Sequence, residues 1–138
     1  MILNIPAVES LSLFTNSKIK INNEKINDLH LKKAINESKL LDSLENYETI
    51  QSLIIGYKLD NKILSNDPIG NYGNNLEVNY YKFVIKKNFT KTLSSMFNNI
   101  QIGIENFVPT PLSSALSTLN KDDKLLGAIC IDLGAGSS

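Results

Sequence analysis

The sequence predicts an α+β fold built on a strand, a helix and two further strands, and three observations carry that reading. Residues 49–58 are rich in isoleucine, leucine and tyrosine, as a strand is. In residues 76–85, Leu76, Val78 and Tyr80 alternate with Glu77, Asn79 and Tyr81 before the apolar pattern becomes continuous, which gives a second strand with one end more deeply covered. Ahead of both, Leu31, Ala34, Ile35 and Ser38 fall on one face of a helical repeat while Lys32, Lys33, Asn36 and Glu37 fall elsewhere.

Taken in order, Ile2 to Ile5 and Lys18 to Ile21 have strand composition, the second bracketed by Asn16-Ser17 and Asn22-Asn23 as turn material. Asn27 is placed to cap the first helix, and Asp28 favours the positive end of its dipole. The strand at 49–58 leads into a polar connection, Asn61 to Asn75, whose Pro68, Gly70 and Gly73 describe an ordered turn. After the strand at 76–85, Asn88 is expected to cap a second helix with the stripe Phe89, Leu93, Met96, Phe97 and Ile100. Gln101 to Val108 reads as another strand, broken by Pro109 and Pro111. Leu112 to Leu119 forms a short helix, and Lys121-Asp122-Asp123-Lys124 a charged turn. The unalternating run Ala128-Ile129-Cys130-Ile131 then predicts a strand covered on both faces. Asp132 and the glycines at 134 and 136 follow it, a pattern that aims backbone N–H groups at an anion with a carboxylate beside a phosphate-bound metal ion.

Composition narrows the partners. Lys+Arg and Asp+Glu are both 14, and every basic residue is lysine, so the basic excess and the bidentate arginines of a phosphate-tracking surface are missing and nucleic acid is not expected. The single cysteine, Cys130, excludes an intrachain disulfide, fits a reducing compartment and is expected in the core. The first nine residues lack a basic n-region and are interrupted by Asn4, Pro6 and Glu9, so no signal peptide is expected, and no apolar run approaches the roughly 20 residues of a membrane span. His30, the only histidine, is expected in solvent, having no cysteine or second histidine with which to complete a metal site. The serines at 113, 114, 137 and 138 have no identifiable base, and Asp122-Asp123 reads as solvated turn, so catalysis by this stretch alone is not expected.

Several separated motifs resemble FtsA, the actin-like bacterial cell-division family. Ile26-Asn27-Asp28 with Leu31, Ala34 and Ile35 is similar to the family's V-T-E-E-D-V-x-x-V-L helix start, and Ile55-Gly56-Tyr57-Lys58-Leu59-Asp60 to its P-x-x-Y-x-L-D-G segment. Asn66-Asp67-Pro68-Ile69-Gly70-Asn71-Tyr72-Gly73 resembles its N-P-x-G-x-x-G turn, and Val108-Pro109-Thr110-Pro111-Leu112-Ser113-Ser114-Ala115 its A-P-x-A-S-A helix. The last thirteen residues resemble L-G-V-x-x-x-D-I-G-G-G-T-T, a pattern shared with heat-shock 70 chaperones and pilus-assembly proteins. Other actin-like ATPases, and a stand-alone binding module that retains the loop, are therefore the alternatives.

The resemblance implies that residues 1–108 form the family's inserted 1C subdomain, a strand-helix-strand-strand unit devoted to protein contacts. Residues 109–124 would cross between lobes, and 125–138 would supply the first strand and phosphate loop of the second lobe. It implies ATP and Mg²⁺ as ligands of the intact protein, with Asp132 reaching the metal through water and Gly134, Gly136, Ser137 and Ser138 bracketing the phosphates. Ala135 replaces the middle glycine, and Ser137 and Ser138 replace threonines. One loop without an adenosine pocket offers too few contacts to hold a nucleotide, so none is expected on these residues alone. The implied partners are division proteins and FtsA-like subunits through the 1C-like part, and the tubulin-like FtsZ through a subdomain not among these residues. The implied location is the cytoplasm, at the inner-membrane face of the division site. Tyr57, Tyr80, Tyr81 and Phe83 are the aromatic candidates for contact, weighed against core packing and strand pairing. A strand at 126–132 without its sheet partners should fray, pair with another chain or promote aggregation.

Overall fold

A computed structural model describes residues 1–40, 45–64 and 67–135. The chain forms two compact units, one of residues 12–45 and 52–82 and the other of 1–11, 46–51 and 83–138. The fold is α+β, with mixed strand and helix order.

Most of a four-stranded sheet, in the order β2-β5-β3-β4, belongs to the first of these units. Its strands are β2 (Ser10–Lys25), β3 (Tyr47–Leu59), β4 (Lys62–Leu64) and β5 (Tyr72–Lys86), and helix α1 (Asp28–Leu40) lies between β2 and β3 in the chain. Strand periodicity of two puts Ile19 and Ile21 of β2 on the same face as Leu76, Val78 and Tyr80 of β5, and all five are buried with Ile26, Ala34 and Leu59 in one core. Leu31, Ile35, Tyr57 and Leu64 pack on it, so the expected stripe of α1 does face the sheet. Asn27 caps that helix as expected, its Oδ1 accepting from the N–H groups of Leu29 (3.0 Å) and His30 (3.1 Å).

The turns follow residue chemistry. Asp60 and Asn61 both adopt positive φ, the two-residue hairpin geometry that asparagine and aspartate tolerate, and β4 pairs antiparallel with β3 from Leu59↔Lys62 to Tyr57↔Leu64. The polar connection therefore contains a short strand that its composition did not announce; Asn66, in the turn motif, lies outside the described residues. Gly70, at φ 91°, donates to the carbonyl of Ile26 while Ile26 donates to that of Asn71, both at 2.9 Å, so the turn is tied to the start of α1.

The Asp60 carboxylate accepts from the N–H of Asn74 and of Asn75, and these two bonds, in that order, hold its pKa below the ordinary 3.8. A carboxyl depressed on folding contributes stability that is present above 3.8 and lost as pH falls through the lower folded value. Acid unfolding followed by circular dichroism should accordingly show an acid limb below pH 3.8 that Asp60→Asn flattens.

β2 differs from expectation at both ends. It begins at Ser10, so Asn16-Ser17 are strand rather than turn, and the buried Ser17 hydroxyl pairs with the Tyr80 hydroxyl at 3.2 Å. Asn22 and Asn23 do take left-handed φ, but the strand continues past them to Lys25.

In the other unit, β1 (Ile2–Ile5) and β6 (Asn106–Pro109) pair in parallel, Ile2 opposite Asn106 and Ile5 opposite Pro109. β6 is shorter than the predicted 101–108, because Gln101 turns left-handed after α2 and 102–105 carry no strand. Helix α2 (Lys87–Asn98) starts ahead of Asn88, with no side-chain cap. Its Phe89, Leu93 and Phe97 are half-buried, while Met96 and Ile100 are exposed. Thr90 is buried and donates to the Glu48 carboxylate and to the carbonyl of Lys87.

Helix α3 (Thr110–Thr118) grows directly from β6, with Pro111 in its first turn. The predicted charged turn is instead helix α4 (Lys121–Leu126), because Asn120 and Asp123 form a reciprocal capping box. Leu125 and Leu126 belong to that helix, and Gly127, at φ 85°, ends it. The buried strand expected at Ala128–Ile131 is not formed: residues 127–134 have no regular secondary structure, and Ile129, Ile131 and Leu133 are exposed. A doubly covered strand requires neighbours on both sides, and among the described residues none pairs with it. Cys130 is exposed for the same reason, not core. Among the described residues no helix is long and apolar enough to cross a membrane.

Candidate functional site

Of the sequence-predicted loop residues, the structure describes Asp132 and Gly134, with Ala135 beside them. Gly136, Ser137 and Ser138 lie outside the described residues. Asp132 is half-buried, and its Oδ2 accepts from the Ser114 hydroxyl of α3 at 2.8 Å; Gly134 and Ala135 are exposed. No group of three or more metal-ligating side chains occurs among the described residues. A lone carboxylate cannot cage a metal, but it suits the water-mediated contact of Mg²⁺, which keeps several of its waters and takes one or two carboxylates with substrate phosphates. In that limited sense the donor chemistry of Asp132 fits the ion.

A second candidate lies on the sheet face opposite α1. There the Lys58 ammonium meets the Glu77 carboxylate at 2.9 Å, and the Phe14 and Tyr81 rings pack edge to face with centroids 4.8 Å apart. Between them is a cavity of about 330 Å³ lined by Phe14, Asn16, Gly56, Lys58, Ile63 and Asn79 among others. Gly56 lines it, and a Cβ built there meets nothing within 4 Å. Phe14 is 75% and Ile63 80% exposed, so large apolar side chains stand in water around a groove bearing amide groups.

The four aromatic contact candidates separate. Tyr80 is core, its phenol pKa raised by burial, and so is not a contact residue. Tyr57 packs half-buried against the core, with its phenol likewise raised chiefly by burial and then by Asp67. Tyr81 and Phe83 are half-buried. Sequence reasoning missed Phe14 because Asn16-Ser17 looked like a turn, and Ile63 because it sits inside a polar connection; the alternation from Leu11 to Ile21 was the signal for the first. It also missed Lys82, a buried lysine whose Nζ donates to the Ser38 carbonyl at 2.6 Å in the last turn of α1 and lies 5.8 Å from the Tyr80 ring centroid. His30 is half-buried rather than in solvent. Its Nδ1 accepts from the Asn27 N–H at 3.4 Å, completing the helix cap, and its Nε2 lies 3.8 Å from Glu24.

β2, α1, β3 and β5 thus form a strand-helix-strand-strand module with a helix on one sheet face and an open groove on the other. Residues 10–83, more than half of the chain, match the family described as the SHS2 domain inserted in FTSA. The chain belongs to the FtsA family. It is 26% identical over all 138 residues to the cell division protein FtsA of Agrobacterium fabrum, covering 31% of that protein. With the protein of the same name from Helicobacter pylori strain 26695 it shares 30% identity over 105 residues, 75% of this chain and 21% of the relative. The corresponding figures for Pseudomonas aeruginosa are 20% over 127 residues, 92% and 30%. The chain therefore spans about a third of the length of the curated relatives it matches.

Proposed function

We propose that this chain carries the 1C-like protein-contact subdomain of a cell-division protein of the FtsA type, followed by half of an ATP site. The observation that carries the reading is the match of residues 10–83 to the inserted FtsA domain, on a module whose sheet leaves a groove with exposed Phe14 and Ile63 uncovered. Its partners are FtsA-family subunits and later division proteins. The complete protein links the FtsZ ring to the cytoplasmic face of the inner membrane through parts beyond residues 1–138.

In the terminal segment, Asp132 would face Mg²⁺ through water and Gly134 would offer its backbone amide to a phosphate oxygen, with Gly136, Ser137 and Ser138, which lie outside the described residues, as the further phosphate contacts that the resemblance implies. Bound magnesium-ATP would supply the nucleotide-dependent clamp between two lobes. The residues here would only orient a carboxylate and hydrogen-bond donors toward it. With one loop, affinity is weak, and the contact role does not depend on it.

Biolayer interferometry against the FtsA-family protein and the FtsZ of the same bacterium tests this. Binding to the FtsA-family subunit in the micromolar range, about −8 kcal/mol, and none to FtsZ is the expected result. Binding to FtsZ alone would contradict it.

A further inference from the structure

Strand alternation carries more than an apolar rim onto the sheet face that bears the groove. Lys18 and Lys20 follow Phe14 and Asn16 at intervals of two along β2, and all four are exposed, while Ser17, Ile19 and Ile21 among them are buried. On β5 the carboxylate of that face, Glu77, is already met by Lys58 at 2.9 Å. Asp60, the acid whose charge reaches Lys18, has its oxygens engaged by the N–H groups of Asn74 and Asn75. The groove therefore sets positive charge beside the exposed Phe14 and Ile63, and at Gly56 a Cβ would meet nothing within 4 Å.

The turn at 67–72 of the same module presents the complementary chemistry. Ile69 is 42% and Tyr72 66% exposed, and Asp67 stands in solvent close by. The turn is held from both sides: Asp67 Oδ1 accepts from the N–H of Ile69 at 3.0 Å, the Asn71 side-chain amide donates to the Pro68 carbonyl at 3.0 Å, and the two backbone bonds joining Ile26 to Gly70 and Asn71 fasten it to the start of α1. Residues 24–28 lie beside it through those bonds, and there the exposed Glu24 and Asp28 outweigh Lys25. An aromatic side chain on so fixed a support gives up little freedom when it is buried by a partner.

Resting on the reading of this module as a contact subdomain, we propose that the groove receives the Asp67–Tyr72 turn of a second copy of this chain. Tyr72 enters the space at Gly56 between Phe14 and Ile63, where the Asn16 and Asn79 amides can bond its phenol, and the acidic turn faces Lys18 and Lys20. The cavity of about 330 Å³ has room for such an anchor. Groove on groove would bring two lysine-bearing faces together, so charge selects the head-to-tail contact, in which each copy supplies its turn to one neighbour and its groove to another. A contact of this kind propagates instead of closing on a symmetric pair.

The test is sedimentation velocity on the full 138-residue chain. Between about 10 μM and about 1 mM the wild type should pass from monomer to species larger than a dimer, and salt at about 0.5 M should weaken the association. Tyr72→Ser and Gly56→Leu should each demand about 30-fold higher concentration, as for an anchor at the centre of an interface. Neither change disturbs packing, Tyr72 being exposed and position 56 open, and circular dichroism should match the wild type. Mixed in equal amounts, the two variants should form a one-to-one pair and stop there, because the intact turn of Gly56→Leu fits the intact groove of Tyr72→Ser and the remaining ends are blocked. Association that both variants retain, as pairing through residues 127–135 would give, overturns the inference, as does a mixture that stays monomeric where the wild type associates. A wild type that is monomeric throughout yet binds the FtsA-family subunit in interferometry overturns the inference and leaves the contact reading standing; one that binds neither overturns both.

Discussion

Leu76→Ala is expected to lower the stability of the strand-helix-strand-strand module by about 2–5 kcal/mol, the range for removing a fully buried leucine side chain from a packed core. Leu76 is completely buried on β5, in the same cluster as Ile19, Ile21, Val78 and Tyr80 from the sheet and Ala34 from α1. It therefore touches the interface on which the helix depends, and a single shortened side chain leaves a void that sheet and helix cannot both close. Against a domain stability of roughly 5–15 kcal/mol the loss is large. Urea unfolding followed by circular dichroism should show the midpoint falling with the slope unchanged. A loss under about 1 kcal/mol would mean that this cluster is not what holds the module together.

Ile63→Glu should do the reverse, leaving the fold intact and removing function. Ile63 lies opposite Lys58 on β4, 80% exposed, so its replacement forfeits little packing and should change stability by no more than about 0.5 kcal/mol. It also lines the groove above Gly56, where a carboxylate would have to be desolvated by any apolar partner surface. Binding to an FtsA-family subunit should then weaken by about 30-fold or more, the equivalent of about 2 kcal/mol for a contact residue at the centre of an interface. Interferometry of the variant beside the wild type gives the answer. An affinity within twofold of wild type would place the contact surface elsewhere.

What could be read from the residues alone was whatever local chemistry decides. The Asn27 cap, the α1 stripe at Leu31, Ala34 and Ile35, and the alternation of Leu76, Val78 and Tyr80 were legible because each is set by neighbours three or four positions away, or two. Ser17 was not, since its place in β2 is secured by the Tyr80 hydroxyl, 63 positions distant. The Asn120–Asp123 box was present in the sequence but masked by the charge of Lys121 to Lys124, which suggested a turn. The apolar run at 128–131 reads as a strand by composition, yet no strand forms there, because strand formation depends on partners that the described residues do not provide. For the candidate site, Asp132 and Gly134 could be named from their pattern, whereas nothing local connects Ser114 to Asp132, or Phe14 and Ile63 to one groove. Those juxtapositions belong to the fold.

Native-state hydrogen exchange on the dilute monomer tests most directly whether a self-sufficient contact module precedes an unpartnered nucleotide segment. Amides of Ile19, Ile21, Val78 and Tyr80 should be protected to the level of global unfolding, while those of Ile129 and Ile131 should exchange at nearly the rate of an unstructured chain. Strong protection at Ile129 and Ile131 would contradict this account, as would uniformly weak protection across β2 and β5.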